Sequence, residues 1–309
     1  MKFNPKALSI TVTQLNTFLA VVRGGSVTVA ADELVVTQPS VSSALAALAR
    51  ELGCELFERA GRGIRLTEAG TAFAPYAADV IGLLGDAHQA VLEASDAASR
   101  RLRIGAVTTA AESFVPPLMR AFSDQQPDVA LTLHVGNNED VLEQVRSHSV
   151  DVAISGEPPA DDRLVANALV DNEITCITSA DDPAAAGRRV KASELAARSW
   201  LLREPGSGTR TLNERFLANR GLTPATLTLG SNGAIKQAAR AGLGVSLLSR
   251  AAVEMELAAG RLGEIQLTDG PARRKWFVLR SGVGPERPTV DAFVAFARSE
   301  SGRLAALNL

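Results

Sequence analysis

Between Ser26 and Thr67 the chain reads SVTVAADELVVTQPSVSSALAALARELGCELFERAGRGIRLT, two short helical patterns on either side of a tight break. In the first, Val27, Ala30, Ala31 and Leu34 recur at spacings of three and four, so they share one helix face. In the second, Val41, Ala44, Leu45, Leu48 and Leu52 do the same. Val35 and Val36 lead into Thr37, a good N-cap, and Pro39 falls in the first helical turn, where its missing N–H costs nothing. Two helices joined this closely predict a helix-turn-helix, whose second helix lies in a DNA major groove. Its polar face carries Gln38, Ser42 and Ser43, short enough to let the backbone approach a duplex. Gln38 can pair with two atoms of an adenine edge, while Thr37, Pro39 and Ser40 place the helix N-terminus against phosphate. Taken alone, the same pattern also suits a small amphipathic hairpin whose polar face meets water.

The next residues separate the two readings. In LFERAGRGIRLT, Leu56 and Phe57 read as buried, Gly61-Arg62-Gly63 as a tight turn, and Ile64 and Leu66 as a returning strand. Such a hairpin is a wing, which sets Arg59, Arg62 and Arg65 beside the DNA backbone or minor groove. The run TQPSVSSALAALARELGCELFERAGRGIRLTEAG resembles the winged helix-turn-helix of the LysR-type transcriptional regulators. It departs from that family where basic residues are common in the recognition helix: Ser43, Ala46 and Ala47 stand there instead. Fewer phosphate contacts remain, so Gln38 and the wing arginines carry more of the expected binding.

The 309-residue sequence has room for two or three domains. Its 46% hydrophobic and 21% charged residues are those of an ordinary globular chain, and its net charge of −2 means that DNA affinity must come from a local patch and from pairing two copies. Cys54 and Cys176 fall in different predicted domains, which argues against a disulfide and for packing roles. No apolar run approaches about 18 residues, and MKFNPKALSITVTQL lacks a signal-peptide core, so the expected location is cytoplasmic, with no membrane partner.

Met1 to Ser9 reads as a loose arm, and Thr13 as the cap of a first helix with Leu15, Phe18, Leu19 and Val22 inside and Gly24-Gly25 at its end. From Thr67 to about Ser95 a long helix is predicted, with Phe73, Ala77, Val80, Leu84, Ala87 and Val91 close to a heptad seam and Pro75 in its second turn. That stripe needs a partner, either the same helix of a second copy or the chain's own C-terminal domain; the family resemblance implies a dimerising linker. From Leu102 onward strand and helix patterns alternate, which predicts α/β folding with largely parallel sheets. The resemblance implies a C-terminal effector domain of two lobes, like a type 2 periplasmic binding protein, and assembly as a homodimer or a dimer of dimers. The expected fold class is thus multidomain α and α/β. A winged domain spans 1–70, a linker helix 71–98 and an effector domain 99–309, with lobe I near 99–168 and 272–309 and lobe II near 169–271. The crossings between lobes are expected near Asn167–Asn172 and Thr268–Arg274.

In open α/β sheets, ligands sit where helix N-termini face the carboxyl ends of strands. Four places offer that chemistry: Thr108-Thr109 after the first strand, Ser155-Gly156 after DVAI, REPGSGTR with Arg203, Ser207, Gly208, Thr209 and Arg210, and Asn232 in GSNGAIK. Together they describe a cleft for a small anionic metabolite, a carboxylate or a phosphate ester. A plain solute-binding protein would share the cleft but not the winged domain. An enzyme is disfavoured: His88, His134 and His148 lie near no nucleophile motif, REPGSGTR lacks the spacing of a phosphate-binding P-loop, and no metal-ligand pattern or cofactor motif occurs.

Overall fold

The computed structural model describes residues 9–61, 63–96, 100–271 and 273–307. Arg62, most of the expected N-terminal arm, and the expected boundaries at 98/99 and 272 lie outside the described residues. By packing, the chain forms two compact units, Met1–Val91 with Arg146–His148, and Leu92–Val145 with Ser149–Leu309.

In the first unit, α1 (Val12–Gly24), α2 (Val27–Leu34) and α3 (Gln38–Leu52) precede a hairpin of β1 (Phe57–Ala60) and β2 (Gly63–Leu66), and α4 (Glu68–Ser95) follows, its residues from Leu92 on belonging to the second unit. The first helix is capped by Thr11 rather than Thr13. The Thr11 hydroxyl accepts from the Gln14 N–H, and the Gln14 side chain accepts in return from the Thr11 N–H at 2.8 Å. Val35, between α2 and α3, has φ 55° and ψ 46° and is 89% exposed, a β-branched residue held in the left-handed region by the tightness of the turn. Phe18 is the centre of the packing, with its ring 5.3 Å from those of both Phe57 and Phe73, and Leu15, Leu48 and Leu56 close around it. The first turn of α4 runs so close to the chain at Leu56 that a Cβ at Gly70 would stand 2.1 Å from the Leu56 carbonyl, so only glycine fits.

The long helix divides its apolar residues between two faces. Phe73, Ala77 and Ile81 pack into the first unit's own core, whereas Tyr76, Val80, Leu84, Val91 and Leu92 are exposed. The single seam expected from Phe73 to Val91 is therefore split: its N-terminal residues are spent on α1, and only the later ones leave an open stripe.

The second unit contains two lobes. In lobe I, β3 (Arg101–Val107), β4 (Ala130–Gly136), β5 (Val152–Ser155), β6 (Leu164–Asn172) and β13 (Arg274–Ser281) form a sheet in the order β4-β3-β5-β13-β6. It is covered by α6 (Val115–Gln125), α7 (Asn138–Arg146), α11 (Pro288–Arg298) and α12 (Glu300–Ala306), with the short α5 (Thr108–Ala111) after β3. Lobe II holds β7 (Ile174–Thr178), β8 (Arg189–Val190), β11 (Ser246–Ser249) and β12 (Gly263–Leu267) in the order β11-β7-β12-β8, and a parallel pair, β9 (Trp200–Arg203) and β10 (Thr226–Leu229). A parallel bridge from Trp200 to Val245 joins the pair to the start of β11. Helices α8 (Gly208–Ala218), α9 (Asn232–Arg240) and α10 (Glu254–Ala258) complete the lobe.

The sheets are mixed rather than largely parallel. β13 runs antiparallel to both β5 and β6, and β11 and β12 run antiparallel to β7. The reason is the double crossing: a strand that returns from the other lobe enters its sheet in the opposite sense. The first crossing is shorter than expected, because Asn167–Asn172 are themselves part of β6 and the chain enters β7 at Ile174. Lobe I is held by aromatic packing, with Phe122 against Phe293 and Phe296, and Phe114 against Trp276. A buried ion pair adds to it: Arg287 Nη1 donates to Glu93 in the last turns of α4 at 2.8 Å, and the Thr289 hydroxyl donates to the same carboxylate. Arg287 Nη2 pairs in addition with buried Asp151, so loss of the guanidinium would strand carboxylates in a dry site.

The two cysteines differ in the way their surroundings dictate. Burial pushes the Cys176 thiol up to about 12, against the pull of Arg198, while Cys54 is exposed. One thiol per native chain should therefore react rapidly with a disulfide reagent, and Cys54→Ser should abolish that reaction; two fast thiols would contradict it.

Candidate functional site

In α3 the Thr37 hydroxyl accepts from the Ser40 N–H and lies 2.8 Å from the Ser40 hydroxyl, so the two side chains cap the helix together. Gln38, Pro39, Ser42, Ser43 and Ala46 are exposed along one side, while Val41, Leu48 and Ala49 are buried on the other. All five sequence-predicted residues from Thr37 to Ser42, leaving out buried Val41, thus share an open face with Ser43. Arg50 completes that face in the last turn, exposed and the one cation of α3. Reading for short polar residues passes over it, although its spacing of seven from Ser43 places it on the same side.

The wing forms as expected, but its arginines are not equivalent. Glu58 pairs across the hairpin with Arg65, and Arg59 pairs with Ile64, so the pleat sets Arg59 and Arg65 on opposite faces. Arg65 Nε donates to Glu58 at 2.7 Å, which diverts part of its charge from any phosphate, whereas Arg59 is exposed.

In the second unit, Thr108, Thr109, Gly156, Arg203, Ser207, Gly208 and Thr209 line one cleft between the lobes, as expected, around a cavity of about 40 Å³. The N-terminal turns of α7 and α8 face it from opposite sides, through Asn138 and Gly208. Three other expected contacts are not on its wall. Ser155 is fully buried and its hydroxyl donates to Asn138 Oδ1 at 2.6 Å, so it positions a lining residue. Arg210 is turned to Glu214, to the Arg203 carbonyl and to the Thr228 hydroxyl. Asn232 is fully buried; its amide donates to the Thr109 hydroxyl at 2.9 Å and accepts from Arg203 Nη1 at 2.7 Å.

Arg203 lines the cleft, but its charge is spent. At 3% exposure it donates through Nε and Nη2 to both oxygens of Glu204. Burial acts to raise that carboxyl, but the hydrogen bonds and charge of Arg203 outweigh it and hold the group below its usual range. The other lining cation is Arg274, which the sequence places in a crossing loop and the structure places at the start of β13. No hydrogen bond or ion pair with another described residue engages its guanidinium. Burial pulls its pKa down, Glu157 pushes it up and Arg215 lowers it further, so desolvation is not fully compensated within the protein. Asn137, Asn138, Asn172, Ser249 and Trp276 also line the cleft. Asn137, Asn138, Asn172 and Trp276 sit in no glycine-rich or hydroxyl-rich motif, so local pattern does not single them out; Ser249 ends the segment AGLGVSLLS, most of which is sheet core and turn.

Among the described residues, hydrogen bonds cross the cleft at two places at least. One is Asn232 to Thr109, and another is the Glu139 N–H to the Gly206 carbonyl at 3.3 Å. Asn232→Ala would leave a buried guanidinium N–H and a buried hydroxyl unpaired. It should cost about 1–3 kcal/mol in denaturant unfolding, and an unchanged midpoint would show that the network relaxes freely.

A winged helix-turn-helix followed by a two-lobed α/β unit with a ligand cleft defines a DNA-binding transcriptional regulator that responds to a small molecule. Residues 12–71 match the family described as bacterial regulatory helix-turn-helix protein, lysR family, and residues 95–302 match the LysR substrate binding domain. The chain is 36% identical over 299 residues to a RuBisCO operon transcriptional regulator of Allochromatium vinosum, covering 96% of this chain and 98% of that one. The regulatory domain of CcmR from Synechocystis PCC6803, solved in complex with 2-PG, is 29% identical with a TM-score of 0.61, covering 64% of this chain and 95% of its own. A full-length OxyR variant from Pseudomonas aeruginosa has a TM-score of 0.67 over 95% of this chain and 96% of its own; at 22% identity this is a likeness of fold. The chain belongs to the LysR family of transcriptional regulators.

Proposed function

We propose that α3 and the wing read a duplex operator, with Gln38 on a base edge and Arg50 and Arg59 on phosphates, and that a small anionic metabolite in the lobe cleft sets the affinity or bend of the complex. The observation that carries the effector half is the cleft itself: hydroxyls of Thr108, Ser207 and Thr209, two helix N-termini and one cation without a partner among the described residues. Gly156 and Gly208 bring backbone to its wall. The exposed stripe of Tyr76, Val80, Leu84, Val91 and Leu92 supports a homodimer through α4, and a dimer of dimers beyond it. Among the described residues no helix is long and apolar enough to cross a membrane, and no group of side chains suits a metal ion. We read the protein as a cytoplasmic regulator without catalysis or a cofactor. The name of the Allochromatium relative points to carbon-fixation genes as targets.

Selection of genomic fragments by the purified protein tests the targets, and a set with no fragment near carbon-fixation genes would remove that part. On a selected operator, Gln38→Ala should cost about 1–3 kcal/mol and relax one base position; equal losses on all sequences would refute base reading. Arg59→Ala should weaken every duplex alike and lower the salt slope by about one unit. Thr108→Val or Thr209→Val should blunt the effect of a metabolite on operator binding with little change in thermal stability. A full response in both variants would place the effector elsewhere.

A further inference from the structure

The effector cleft holds two polar side chains without partners among the described residues, and they stand opposite each other. Asn172 ends β6 and Arg274 begins β13, and the two are paired residues in the antiparallel register. Both lie on the strands that carry the chain between the lobes. The Asn172 side chain is 5% exposed, lines the cleft and makes no hydrogen bond with any described residue; its Oδ1 is buried with no acceptor role filled. A buried amide left unpaired is costly, and the cost is recovered when a ligand supplies the missing group. Arg274 has the matching need, a guanidinium drawn out of water that makes no hydrogen bond or ion pair with a described residue, the nearby Glu157 acting on it only through its charge.

The surroundings keep Arg274 available. Gly156 lies beside it, and a Cβ there would come within 3.0 Å of Arg274 Nη2. A register shift between Lys275 and Phe277 interrupts β13 just beyond it, at Trp276, whose ring is packed on Phe114. Arg274 also borders a second, open groove of about 480 Å³ beside the cleft, walled by Leu142, Pro158, Arg215, Phe216 and Arg273. Asn138, Glu157 and Gly208 line that groove as well, so a ligand in it reaches Arg274 and the N-terminal turns of α7 and α8 alike.

We propose that Arg274 and Asn172 read the effector directly, Arg274 taking its acidic group and the Asn172 amide a hydroxyl beside that group. The inference rests on the cleft being the effector site, and it names the ligand class: a small hydroxylated anion, either a hydroxy acid or a polyol phosphate. A hydroxyl both donates and accepts, as the amide does, so it satisfies the side chain in whichever orientation the amide adopts. A deoxygenated anion of the same size would engage Arg274 and leave Asn172 unpaired. Because both residues stand where the chain crosses, occupancy of the pair bears directly on the lobe angle.

The test is calorimetric titration and thermal shift on the full chain with matched anions: glycolate and acetate, malate and succinate, glycerol 3-phosphate and propyl phosphate. The hydroxylated member of at least one pair should bind about fivefold or more tightly than its partner, and which pair responds separates carboxylate from phosphate. Arg274→Gln should weaken both members of that pair about tenfold or more, with Arg274→Lys intermediate. Asn172→Ala should abolish the preference while retaining binding of the deoxygenated member, and Asn172→Ser should restore part of it. Circular dichroism confirms that each variant is folded. Binding undiminished in Arg274→Gln, or a hydroxyl preference that survives Asn172→Ala, overturns the assignment. If the anions bind and Thr108→Val weakens them while the Asn172 and Arg274 variants do not, the cleft stands and this inference falls. If none of the six anions binds, both fall.

Discussion

A buried amide holds the effector unit in the form seen here. Asn232, at the start of α9 in lobe II, donates across the cleft to Thr109 of lobe I while accepting from Arg203. Both partners are buried, so none of these groups can turn to water without moving the lobes. Arg203 is in turn neutralised by Glu204, which leaves the described cleft wall with one uncommitted cation instead of two. The electrostatic character of the site follows from this arrangement: the internal network consumes one arginine, and Arg274 retains its need for an anion.

The same economy governs the long helix. Its first turns are part of the winged unit's core, against Phe18 and under the close approach at Gly70. Glu93, near its end, is clamped by Arg287 and Thr289 in lobe I of the effector unit. Between these anchored ends Tyr76, Val80 and Leu84 remain open, so the surface left for a second copy is set by what the chain has already used.

Much of this was legible from residues in order. Spacings of three and four located α2 and α3, and Thr37 with Pro39 located the start of the recognition helix. The glycine- and hydroxyl-rich segments at Thr108, Gly156 and Ser207 to Thr209 reached the cleft wall, because loops at strand ends carry that composition wherever helix N-termini meet a ligand. Ser155, Arg210 and Asn232 share the same composition but serve lining residues or neighbouring turns. Composition marks who is near a site, and hydrogen-bond competition decides who is free in it. Arg274 and Asn172 carry no such signature. Both stand in extended segments that read as plain strand or crossing, and their importance arises from pairing across more than a hundred residues.

Residue order is enough to set the local units: the helix-turn-helix and its wing, the long helix, and the alternation that makes α/β lobes, since periodicity, caps and turns act over a few residues. Long-range packing settles which polar groups line the cleft, which apolar residues of α4 remain open, and which strands run against their neighbours. Those outcomes depend on what each side chain meets after distant segments pack, and a charge or a hydrophobic face is available for function only when no closer partner inside the fold has claimed it.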